Sequence, residues 1–168
     1  MKLTMSNLQL SNIIKHARDR EYMSGVERDA LRVKATGEVF TPTKLVEVLL
    51  TQLPLAVFTD PTKTFLDNSC GDGQFLSEVL IRKLESLGKD TITDKEFETA
   101  LSSLYGVDLM LDNVEECRNR LLCGQEHLRH IVKTNIVRHN ALTYDYSFNG
   151  TDHNAKDAIY HDLIEKTS

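Results

Sequence analysis

Two short stretches of this 168-residue chain carry residue types suited to binding chemistry. The first is Asp67-Asn68-Ser69-Cys70-Gly71-Asp72-Gly73, set between an apolar run (Thr64-Phe65-Leu66) and a segment with Phe75, Leu76, Val79, Leu80 and Leu84 at helical spacing. Glycines at such a strand-to-helix junction let the backbone turn tightly and let a ligand come closer than a Cβ would permit. The second is Asp108, which closes the apolar run Leu104-Tyr105-Gly106-Val107. A carboxylate at the end of a neighbouring strand can accept hydrogen bonds from both hydroxyls of a ribose. A ligand-free tight turn and a helix-capping Asp108 are the plainer readings of each feature taken alone. Together the two point to an adenosine-containing ligand. A dinucleotide fingerprint would need glycine at position 76, where the chain has Leu76, and no Gly-Lys-Ser/Thr follows as a phosphate-binding loop requires.

The elements that must position these residues follow from periodicity. Ser6 is a suitable cap for a helix over 6–20, and 26–35 suggests a second. Thr41-Pro42-Thr43 starts a helix that Pro54 ends, and another is expected from about 73 to 87. Thr93 with Glu96 forms a capping box for a helix over about 94–103. Further helices are expected over 111–122 and 125–132, and Ile136-Val137-Arg138-His139 reads as a third strand. Strands alternating with helices predict an α/β fold with a partial, mostly parallel sheet. Residues 1–36 read as an N-terminal helical arm and 37–168 as the α/β domain, in one compact unit.

Composition fits a soluble globular protein, with 40% hydrophobic and 27% charged residues. No apolar stretch is long enough to span a membrane and the N-terminus has no signal-peptide core, so a cytoplasmic location is expected. Cys70, Cys117 and Cys123 have no metal-ligand spacing and are expected to stay reduced, with no metal site. The net charge of −5 excludes a surface that is basic throughout. Residues 1–36, however, hold seven Lys and Arg against four Asp and Glu. That arm could touch DNA phosphates, although a solvated helix surface is the simpler reading.

Four motifs in order then resemble the adenine-specific DNA methyltransferases, especially the type I modification-subunit class. Gly37-Glu38-Val39-Phe40-Thr41-Pro42 is similar to their Phe/Tyr-Thr-Pro motif, and Asp67 to Leu76 is similar to Asp-Pro-Ala-Cys-Gly-Ser-Gly-x-Phe-Leu. Tyr105-Gly106-Val107-Asp108-Leu109 is similar to their second acidic motif, and His139-Asn140-Ala141-Leu142 to their Asp-Ala-Leu. The resemblance covers about 37–142 and implies a Rossmann-like class I fold that binds S-adenosylmethionine (AdoMet). By position, it implies that Phe40, Thr41 and Pro42 border the methionine part. Asp67, Asn68, Cys70, Gly71, Gly73 and Phe75 belong to the motif whose loop lies under the methionine and ribose. Asp108 takes the ribose hydroxyls, Leu109 packs on the adenine, and Asn140, with Ala141 beside it, meets the adenine amine.

The chain departs from the family at several places. Asn68-Ser69 stands for Pro-Ala, Asn140 for Asp, and Asp72 for a small residue; Asp72 is expected to face water. The family's Asn/Asp-Pro-Pro-Tyr/Phe motif holds the amine of a flipped adenine. It is absent, because no proline follows Pro61. Its place would fall at His161 and Asp162, which are candidates for binding an amine or simply solvated tail residues. The remaining strands and a target-recognition domain are not expected within the chain. Two functions therefore stay open ahead of a third, a nucleotide binder on the same fold that is not a methyltransferase. One is an adenine-DNA methyltransferase that is slow alone or works with a partner chain, as homodimer or heteromer. The other is a non-catalytic AdoMet sensor, decoy or partner subunit.

Overall fold

The computed structural model describes residues 7–19 and 41–152. Phe40, His161, Asp162, the segment 26–35 and most of the N-terminal arm lie outside the described residues. The elements in chain order are β1 (Asn7–Gln9), α1 (Leu10–Arg18), α2 (Thr43–Thr51), α3 (Ala56–Thr59), β2 (Phe65–Asp67), α4 (Gln74–Glu85) and β3 (Thr91–Thr93). They continue with α5 (Asp94–Ser102), β4 (Leu104–Asp108), α6 (Leu111–Leu122), a 3-10 turn (Glu126–Leu128), α7 (Arg129–Asn135) and β5 (Ile136–Arg138).

A mixed α/β architecture results. Three strands form a parallel sheet in the order β2-β4-β5, with Asp67 opposite Gly106 and Asp108 opposite Arg138. This register brings the carboxyl ends of β2 and β4 side by side. Helices α4 and α6 pack on the sheet and on each other. Leu76, Leu80 and Leu84 of α4 meet Val114, Cys117 and Leu121 of α6 in one buried cluster. These positions recur at helical spacing, so one stripe of each helix is removed from water, which is the main favourable term in holding the layers together.

The first helix is shorter than its sequence pattern predicts. Residues 7–9 form an antiparallel ribbon with β3, pairing Leu8 with Ile92, and α1 begins only at Leu10, with Gln9 at its N-cap. The expected cap, Ser6, lies outside the described residues. Leu8 packs against the core beside the fully buried Ile92. Strand pairing supplies partners for the local backbone groups, and the Leu10 amide donates to Asp90 O at 2.8 Å. Ile13 and Ala17 are buried, so α1 packs into the same core as the α/β layers.

Helix α5 forms as its capping box requires. The Glu96 amide donates to Thr93 Oγ1 at 3.3 Å and the Thr93 amide donates to Glu96 Oε2 at 2.9 Å. Both bonds satisfy amides that the first turn of a helix leaves without intrahelical partners. Among the described residues no helix is long and apolar enough to cross a membrane.

Candidate functional site

The glycine turn and the acid meet at the carboxyl ends of β2 and β4. The Cys70 amide donates to Val107 O at 3.0 Å, and the Gly71 amide donates to Asp108 Oδ2 at 3.0 Å. The other carboxylate oxygen, Oδ1, accepts from the Met110 amide at 2.9 Å and from Asn113 Nδ2 at 3.2 Å. Asp108 thus braces the β4–α6 turn and the glycine loop at once. It organises the start of its own helix and faces the glycine loop.

Gly71 has φ +53° and Gly73 has φ +92°, so the loop passes twice through left-handed backbone. Gly73 is also a packing residue. A Cβ there would lie 2.9 Å from Cys117 Sγ on α6, so the closest approach at this glycine is made by protein. Gly71 is half-buried, whereas Asn68 and Ser69 stand exposed. Phe75 packs against the core from the start of α4.

Asp67 closes β2 and accepts from the Ser69 amide at 3.1 Å. Burial pushes its carboxyl above the usual carboxylate range, and the neighbouring charge of Asp108 pushes it further in the same direction. Two carboxylates thus sit close enough at the loop to feel each other. Such a pair favours a cationic or hydrogen-bond-donating ligand.

Asp72 departs from expectation. It is buried, and Arg120 Nη1 lies 3.6 Å from its Oδ1. The reason is Arg120, a fully buried residue of α6 that was not singled out from sequence. Its Nε donates to Ala17 O at 2.6 Å and its Nη2 to Gln74 Oε1 at 2.9 Å. Gln74 Nε2 in turn donates to Thr43 Oγ1 at 2.7 Å. A polar network beneath the glycine loop thereby ties α1, α2, α4 and α6 together. Helical spacing held a clue, because Arg120 is three residues beyond the buried Cys117 and next to the buried Leu121.

The Thr43–Gln74 bond sets the start of α2 beside the start of α4. Thr41 and Pro42, the latter at the N-cap of α2, therefore lie near the glycine loop. Leu109 follows Asp108 and is half-exposed; its carbonyl accepts from Arg138 Nε at 3.0 Å. The His139 amide donates to Asp108 O at 3.1 Å, which brings Asn140 and Ala141 to the same end of the sheet. Asn140 Oδ1 accepts from the Leu142 amide at 3.0 Å, and Ala141 O accepts from the Tyr146 hydroxyl at 2.8 Å. Asn140 also borders a hollow of about 240 Å³ with His139 and Tyr144, whose rings stack at 4.1 Å. Every described candidate except the outward-facing Asn68 and the core-packed Phe75 thus gathers around one end of the parallel sheet.

No family model, curated protein or solved structure matches this chain. The site therefore stands on its own geometry. Cys70, Cys117 and Cys123 form no disulfide. Hydrogen bonding to Cys117 and burial raise the Cys70 thiol well above its ordinary value, and Cys70 packs within the core cluster. Among the described residues no group of three or more His, Cys, Asp or Glu could hold a metal.

Proposed function

We propose that the carboxyl ends of β2 and β4 bind AdoMet, and that the chain is the cofactor-binding part of an adenine-specific DNA methyltransferase-like protein with a Rossmann-like class I fold. The observation that carries this reading is the 3.0 Å contact between the Gly71 amide and Asp108 Oδ2. It joins two motifs 37 residues apart in sequence. The donor set fits the group: Asp108 would hold the ribose hydroxyls, and Leu109 and Asn140 would lie toward the adenine. Thr41 and the N-terminus of α2 would face the methionine carboxylate, where the helix dipole favours negative charge. The Asp67–Asp108 pair suits a ligand that carries a sulfonium cation. When bound, AdoMet would supply an electrophilic methyl group; the residues described here bind and orient it.

A partner chain belongs to the proposal. Leu45, Val48, Leu49, Leu53 and Leu55 are 41–73% exposed on and just after α2. Leu66 on β2, which pairs with only one strand among the described residues, is 54% exposed. An apolar patch of this kind commonly marks an interaction surface. Arg18, one of the two described Lys and Arg residues of the N-terminal arm, is held by Glu78 through two bonds of 2.8 Å, which leaves that residue less available to a DNA phosphate.

Non-catalytic AdoMet binding is the second reading, favoured by the absence of any proline over residues 62–168, which include the place where the amine-holding motif would fall. Three measurements on the full chain decide. Calorimetric titration should give saturable AdoMet binding, and an unmoved melting temperature at saturating AdoMet would sink both readings. Labelled-methyl transfer to unmethylated DNA, alone and with cell extract, then separates them. Transfer that disappears in His161→Ala plus Asp162→Ala supports the enzyme, whereas binding with no transfer under either condition supports the non-catalytic form.

A further inference from the structure

A second site lies at the other end of the sheet, away from the glycine loop. Helices α3, α4 and α5 enclose a cleft of about 260 Å³, and its walls are mostly apolar, with Phe58, Leu84, Leu87 and Ala100 among them. Lys83 also lines the cleft, although it is only 5% exposed. Its ammonium donates to Lys63 O at 2.7 Å and lies 5.5 Å from the centre of the Phe65 ring.

An ammonium carries three donors. Among the described residues the Lys63 carbonyl is its one hydrogen-bond acceptor. The carboxylate whose charge acts on it is Asp60, whose Oδ1 already accepts from the Thr62 amide and hydroxyl. Burial consequently holds the Lys83 ammonium below the usual lysine range. A buried cation with this little compensation gains from an anionic partner.

The rim leaves Lys83 as the charge that decides. Lys95 borders the cleft but is paired with Glu98 at 3.2 Å, and the one bordering carboxylate, Glu96, is engaged by Lys89 Nζ at 2.6 Å and by the Thr93 amide. A volume of about 260 Å³ falls just below the usual range for drug-sized ligands, which suits a fragment rather than a nucleotide. We propose that this cleft binds a small apolar monocarboxylate, its chain against Phe58, Leu84, Leu87 and Ala100 and its carboxylate drawn by Lys83.

The proposal is independent of AdoMet binding and is tested without it. Octanoate is titrated into the full chain and followed by amide resonances, with octan-1-ol as the uncharged control. Saturable shifts are expected at Thr59, Leu84, Leu87 and Thr99, with octanol weaker by roughly tenfold or more, the size expected of one charged hydrogen bond. Lys83→Met should bring octanoate down to the level of octanol. Thr99 is an exposed wall residue, so Thr99→Trp should obstruct both ligands without disturbing the core. This second variant keeps the test decisive if Lys83→Met fails to fold. Equal binding of octanoate and octanol, or shifts confined to other residues, would overturn the proposal.

Discussion

Gly71 and Asp108 are joined by a 3.0 Å hydrogen bond from backbone amide to carboxylate. The bond fixes the glycine loop against the end of the neighbouring strand. It makes the same carboxylate both a structural brace and the proposed ribose acceptor, and the two roles separate in measurement.

Asp108→Ala should weaken AdoMet binding by about 1–3 kcal/mol through loss of the half-buried acceptor. It should also lower stability in the absence of ligand, because Gly71, Met110 and Asn113 lose a partner together. Asp108→Asn keeps an oxygen and should preserve more stability than affinity. Calorimetry and urea unfolding on the same samples check this, and a variant with native affinity would remove Asp108 from the site.

Gly73→Ala should destabilise the chain by about 1–3 kcal/mol, since φ +92° is strained for alanine and the new Cβ meets Cys117 Sγ at 2.9 Å. Adding Cys117→Ala removes the sulfur that is struck but leaves the backbone strain. The double variant should therefore lose less than the sum of the singles. Additive losses in denaturant midpoints would show that the sulfur contact is irrelevant.

Arg120→Ala and Asp72→Ala should each cost about 3–5 kcal/mol, because either change leaves a buried charge without its counter-ion. Replacing both together, with Met at 120, should cost less than the two singles combined. Thermal unfolding of the three variants tests this coupling.

Glu96 gives the pH prediction. The Lys89 ammonium and the Thr93 amide hold its carboxyl down to about 2 from the ordinary 4.5. The folded state therefore binds this proton less readily than the unfolded state. The stabilisation is complete above pH 4.5 and is lost as the pH falls toward 2. Glu96→Gln should flatten that part of the stability-against-pH curve, as read from urea unfolding at successive pH values. An unchanged slope would assign the acid sensitivity to other carboxylates.

Local signals decided much of this protein in the sequence itself. Thr93 and Glu96 stand three residues apart, and that spacing is enough to start α5; the left-handed turn before α4 needs glycine wherever it occurs. The apolar run 104–108 and the helical stripe over 111–122 are equally local, and both elements form with those bounds. Tertiary structure alone decided what depends on distant partners. The β1–β3 ribbon joins residues such as Gln9 and Thr91 that no local pattern pairs, and it converts an expected helical turn into strand. Asp72 is buried because Arg120 arrives beside it from α6, a compensation invisible to the composition of the loop. The bond from Gly71 to Asp108 belongs to both levels: the residue types were fixed by sequence, but only the parallel register of β2 on β4 brings them within hydrogen-bonding distance.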